Sequence, residues 1–261
     1  MPLEGLPAAM LSLKVVLVPG FLWLLWLAGR RWGPAIAGRL SGLPIVAGPI
    51  LFIIAVEHGP AFAAAVASGA LASVLATVTF IVAYAHGARI GHWPLALALA
   101  FAAWLAAGAL VAHAPGSLAL SVGLAIVALL AAPHAFPRVA AAPATGRASG
   151  RAALVARMVA GALLTVGATA AADLFGPRWS GLLTVFPVLA IVLAVSSHRA
   201  HGPAFATVLL RSMATGMYSL AAFCAVLAAA LPALGTSVAF MLALMSTVLA
   251  LAATRRGWLT R

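Results

Sequence analysis

Long apolar runs separated by short polar intervals fill the chain from one end to the other. Runs of about 18–25 apolar residues match the path needed for a helix to cross roughly 30 Å of hydrocarbon. The pattern predicts nine such spans, at about 8–29, 40–57, 61–85, 93–113, 117–133, 154–172, 181–197, 204–229 and 233–253. The stretch APHAFPRVAAAPATGRASGR, rich in Pro, Ala, Gly and Arg, follows the fifth and reads as a linker. It divides the chain into a first repeat over 1–133 with five spans, a linker at 134–153 and a second repeat over 154–261 with four.

The two parts share a register. HGPAFA occurs at His58–Ala63 and again at His201–Ala206, 143 positions on. At the same offset Gly33-Pro34 falls on Gly176-Pro177, Gly38 on Gly181, Leu40 on Leu183, Pro44 on Pro187 and Ala47 on Ala190. Over 33–63, 12 of 31 residues match, and three prolines and three glycines are among them, which alanine-rich composition alone does not produce. Lys14 falls on Arg157, so the register extends into the first span of each half. The chain is read as an internal duplication. Five spans before the second copy place that copy upside down, giving the inverted-topology repeats common among secondary transporters. If 93–133 crossed only once, the copies would be parallel and the linker arginines would lie outside, against the charge rule.

Composition agrees with this reading. Hydrophobic residues make up 65% and charged residues 7%, too few charges for a water-facing domain surface. The net charge of +12 is a matter of topology rather than nucleic-acid binding, because the basic residues sit between apolar runs. With the N-terminus outside, 12 of the 15 Lys and Arg fall on inward-facing segments, leaving Lys14, Arg178 and Arg211. Glu4, Glu57 and Asp173 fall outside or at the outer rim. The expected location is a bacterial inner membrane, crossed many times, with a periplasmic N-terminus and a cytoplasmic C-terminus. The one cysteine, Cys224, excludes an internal disulfide and a multi-cysteine metal site. Glu4 precedes the first apolar run and no small-residue cleavage pattern follows it, so that run is expected to be retained as a span.

Candidate chemistry is sparse. Gly38, Gly42, Pro44, Gly48 and Pro49 interrupt the second span, and Gly181 and Pro187 interrupt its counterpart. Two readings stay open: a broken helix whose backbone ends bind substrate, or a kinked helix packed on its neighbours. HGPAFA suits a tight reversal between helices, with proline in a first turn. Glu57, His58 and His201 are candidates for proton coupling or pH sensing beside their structural reading. Lys14 and Arg157 can snorkel from span ends. Arg211 lies within its span and, with no carboxylate expected beside it, is a candidate for binding an anion, a lipid phosphate or helix-end carbonyls. His198 and His201 lack the further ligands a metal site needs. No metal, cofactor or catalytic group is expected, and the chain is not read as an enzyme.

WSGLLTVFPVLAIVLAVSSH (Trp179–His198) and LLRSMATGMYSL (Leu209–Leu220) resemble the small GlpM-type inner-membrane proteins. Those proteins show an aromatic entry, A-G-L-x-P-L-F-P, an apolar run ending near a histidine, and L-R-T-T before G-M-W. Gly181, Leu182, Phe186, Pro187, His198, Arg211, Gly216 and Met217 match, while Ser180 and Tyr218 replace Ala and Trp. The interval from Arg to Gly-Met is one residue shorter here, and the resemblance covers the second half from Arg157 onward. It implies a fold, here as two fused units, and almost no chemistry.

The expected protein is therefore an all-α polytopic membrane protein of about nine helices in two inverted repeats. Its expected function is transport, with Arg211, Pro44, Pro187, Gly38 and Gly181 at the substrate site and an anionic or lipid-like substrate. Membrane lipids are expected partners, and a protein partner or a second copy is left open. The alternative is a non-transporting subunit of an envelope polysaccharide or lipid assembly system.

Overall fold

The computed structural model describes residues 5–114, 116–139, 150–175 and 187–256. Gly181 and Arg178 fall outside these residues, as do the side chains of Lys14 and Asp173. Among the described residues the chain is entirely helical, without a strand. The elements are α1 (Gly5–Trp32), α2 (Pro34–Ser41), α3 (Ala47–His58), α4 (Pro60–Ala72), α5 (Val74–Ile90), α6 (Trp93–His113) and α7 (Leu118–Ala135). After these come α8 (Arg151–Phe175), α9 (Val188–His201) and α10 (Pro203–Arg256). Among the described residues six stretches are long and apolar enough to cross a membrane, and α3 and α9 are shorter apolar helices. The protein is thus an α-helical membrane protein.

Glycine and proline set the boundaries. Gly33, Gly59 and Gly202 sit at φ 85, 86 and 85°, a region that costs any side chain strain, and each is followed by a proline that opens the next helix. Gly235 takes φ 73° and ψ 172° inside α10 and turns it into two limbs. Its 54 residues would otherwise run about 80 Å, far beyond one crossing. Ser73 is only a joint between α4 and α5, with helical φ and ψ, so Pro60–Ile90 makes one 31-residue stretch.

The segment containing Arg30, Arg31 and Arg39 differs from the sequence reading, which left 30–39 between spans. The structure extends α1 to Trp32 and begins α2 at Pro34. Gly33-Pro34 reverses the chain in a single residue, and Ala37 and Gly38 are buried against the bundle. Residues 42–46 then interrupt the helix before α3 resumes at Ala47. Pro44 supplies no N–H there, and its carbonyl accepts from Gly48 N at 2.7 Å. In the other half, Pro187 stands immediately before α9.

The 143-residue offset recurs in these boundaries. α3 ends at His58 and α9 at His201; α4 and α10 open at Pro60 and Pro203. α6 opens at Trp93, and the second limb of α10 opens just past Gly235, 143 positions on. α7 lies between the matched stretches.

Matched helices also touch one another. α1 packs along α8, and α4 along α10. A Cβ added to Gly161 of α8 would meet Leu22 Cδ1 at 2.6 Å and Val18 Cγ1 at 3.2 Å, and Val18 is the residue 143 positions before Gly161. α5 packs most extensively on α6, where Phe80, Phe101 and Trp104 meet edge to face. Met241, Met245, Val248 and Leu249 on the last limb are each at least 60% exposed, as lipid-facing side chains are.

Candidate functional site

α7 contacts helices that precede it and helices that follow it in the chain, and reveals their directions. On one flank Ser68 of α4 bonds Ser121 at 3.1 Å, and His86 of α5 donates Nε2–H to the Ala135 carbonyl at 2.8 Å. Residue numbers rise together, so α4–α5 run alongside α7 in the same direction. On the other flank Arg211 donates to the Pro133 carbonyl at 3.2 Å, and Tyr218 to the Leu129 carbonyl at 2.8 Å. Here one number rises as the other falls, so the first limb of α10 runs the opposite way.

The Pro133 carbonyl lies in the last turn of α7, where carbonyls lack intrahelical donors and carry partial negative charge. The Leu129 carbonyl is free because Pro133, four residues on, has no N–H to donate. A half-buried guanidinium is well suited to that position. Arg211 uses one N–H on Pro133, and its Cζ lies 6.0 Å from the ring centroid of buried Phe136. Beyond it opens a cavity of about 650 Å³ lined by Arg89, Pro133, His134, Phe136, Arg138 and Arg211. Three arginines converge from α5, α10 and the segment after α7, with no carboxylate among the lining residues. Arg89 and Arg138 are exposed and form no hydrogen bond or ion pair among the described residues. This arrangement can hold an anion of more than one charge, because like charges gathered at one opening raise the local concentration of counter-ions.

The glycine and proline candidates lie elsewhere. Gly38 faces Leu209 and Ser212 of α10, and a Cβ there would overlap the Leu209 carbonyl and lie 2.8 Å from Ser212 Cβ. At Gly42 a Cβ would stand 2.5 Å from Gly216 C and from Met217 N, and 2.7 Å from Met213 O. Residues 209, 212, 213 and 216 form the face of α10 turned to α2, whereas Arg211 and Tyr218 face α7. Pro44 is buried. None of Gly38, Pro44 and Pro187 lines the basic cavity, and the backbone of α10 fills the interruption at Gly42.

The histidines of the repeated hexapeptide share one geometry. His58 stacks on Phe62 with centroids 5.1 Å apart and planes at 27°, and His201 stacks on Phe205 at 4.4 Å and 26°. Each pair clips across its Gly-Pro reversal. His58 and its neighbour Glu57 are exposed, and Glu57 forms no ion pair among the described residues. His198 Nδ1 lies 3.3 Å from the hydroxyl of buried Tyr84, joining α9 to α5, and Arg199 lies over the Trp93 ring at 5.6 Å. No group of three or more potential metal ligands forms among the described residues. The Arg157 Nε is buried without a hydrogen-bond partner.

A second cavity, of about 240 Å³, lies by Ser68, Gly69, Gly116 and Ser121. Ser68 occupies the position 143 residues before Arg211, so the two matched positions each border a cavity beside α7.

Sequence reading missed Arg89, His134, Phe136 and Arg138 as companions of Arg211. Both arginines already served as orientation charges, and no local spacing links residues brought together from three helices. Comparison with family models, with curated proteins and with solved structures finds no match for this chain.

Proposed function

We propose that the protein is a small inner-membrane carrier built from two inverted repeats, moving an anionic or lipid-like substrate through the cavity at Arg211. The carrying observation is the convergence of Arg89, Arg138 and Arg211 on one cavity with no carboxylate in its lining. The inverted arrangement is supported by the opposite directions of α4–α5 and α10 along α7 and by the helix boundaries displaced by 143. In this reading each copy has four crossings and α7 is the odd one between them, whose presence turns the second copy over. About nine crossings result when α2–α3 and the segment ending in α9 each count as one. Kinship with the GlpM-type proteins is part of the same proposal, through Arg211, Gly216 and Met217 on one helix.

Reconstituted into liposomes, the purified chain is expected to release or take up anions, and Arg211→Ala to lower the rate at least about tenfold, as losing a charge-assisted contact to substrate does. Wild-type rates in that variant would remove the arginine from the pathway. Absence of flux from the wild-type chain, together with a stable partner recovered in mild detergent, would favour the accessory-subunit reading.

A further inference from the structure

We infer that the basic cavity recognises a phosphate monoester, and that this phosphate belongs to a lipid standing in the bilayer beside α7. The inference rests on the carrier reading for the use of the site, though binding can be tested without transport. Three guanidinium groups border the cavity, and Arg89 and Arg138 have no partner among the described residues to neutralise them. A dianionic monoester balances that charge better than a singly charged diester, and a guanidinium fork matches phosphate oxygens two at a time. Arg211 is held from behind by the Pro133 carbonyl, so its position is set before a ligand arrives.

The apolar edge of the site identifies the source of the phosphate. Val127, Leu130 and His134 fall on one stripe of α7, and Val127 and Leu130 are 64% and 60% exposed. Ile90, next to Arg89, is 77% exposed. The stripe runs from the cavity down the outer face of a membrane-length helix, as an acyl or isoprenoid chain would run from a headgroup held by the arginines. A soluble phosphate would make no use of it.

The test counts lipid bound to the full-length chain in neutral detergent by native mass spectrometry, titrating phosphatidic acid, phosphatidylglycerol and phosphatidylcholine in turn. Phosphatidic acid is expected to bind tightest and phosphatidylcholine weakest. The double variant Arg89→Gln/Arg138→Gln is expected to bind phosphatidic acid about thirtyfold more weakly. Both side chains are exposed, so an unchanged melting temperature shows that the fold is retained; Arg89→Lys/Arg138→Lys should recover part of the affinity by restoring charge without the fork. Equal affinity for phosphatidylglycerol and phosphatidic acid overturns the monoester assignment, and unchanged binding in the double glutamine variant overturns the site. Displacement of phosphatidic acid by inorganic phosphate near about 1 mM would move the source into water and overturn the lipid assignment. Headgroup-selective binding without liposomal flux leaves this site standing and removes the carrier reading; flux from a chain indifferent to headgroup does the reverse.

Discussion

Replacing Gly42 by alanine tests whether the interrupted second span is a packing device or a ligand site. An added Cβ would lie 2.5 Å from two atoms of the Gly216–Met217 backbone and 2.7 Å from the Met213 carbonyl. Ordinary carbon contacts need about 3.5–4.0 Å, and all three obstacles are main chain, which no rotamer change can move. α2 must therefore separate from α10 by about 1 Å, loosening the close approach at Gly38 and Gly216 on the same interface. Overpacking costs about 1–3 kcal/mol where side chains yield, and the upper end, about 3 kcal/mol, applies where only backbone can. For a chain of this size that lowers the melting temperature by about 6–12 °C. Gly69→Ala is the control, because nothing lies within 4 Å of its Cβ position and the residue is inside helix α4. Alanine there gains up to about 1 kcal/mol of helix propensity. The assay is thermal loss of monodisperse protein in one detergent, read by fluorescence-detected size exclusion. Equal melting temperatures for Gly42→Ala and Gly69→Ala would refute the packing argument, and impaired anion binding in Gly42→Ala at wild-type stability would return this break to the substrate site.

Cysteines placed one at a time at His58 and His201 in a Cys224→Ala background should react with an impermeant maleimide from opposite faces of oriented vesicles. Labelling of both from the same face would contradict the inverted arrangement. Gly202→Ala should destabilise the protein by about 1–2 kcal/mol, because φ 85° is strained for any side chain; an unchanged melting temperature would mean the reversal is not held in that conformation. A double-mutant cycle on His201 and Phe205 should return a coupling of about 0.5–1.5 kcal/mol from the 4.4 Å stack, and a value near zero would leave the repeated histidine without its structural role.

Much of the fold is legible because a membrane imposes length and apolarity on each helix without reference to its neighbours. The limits of α6, 93–113, are those of the apolar run itself, and α7, α8 and the first reversal of the hexapeptide fall within a few residues of their expected places. The segment before Leu40 is the instructive difference. Arg30, Arg31 and Arg39 have the composition of a loop, yet α2 is helical because Gly33 allows an abrupt turn and Gly38 and Gly42 let the helix lie against α10. A glycine needed for close approach looks the same in sequence as one that merely interrupts a span.

The chain alone determined that it lives in lipid, that the hexapeptide HGPAFA is written twice 143 positions apart, and that a Gly-Pro pair stands within each copy. Each of these depends on local chemistry: hydrophobic length, repeated letters, and the backbone freedom of one residue. Only the tertiary structure decided that Arg211 faces α7 while Gly38 and Gly42 serve the opposite interface, and that Arg89 and Arg138 join Arg211 at one opening. The physical reason is that a helix face is chosen by packing among all its neighbours. Charges distant along the chain acquire a common purpose only when those faces meet.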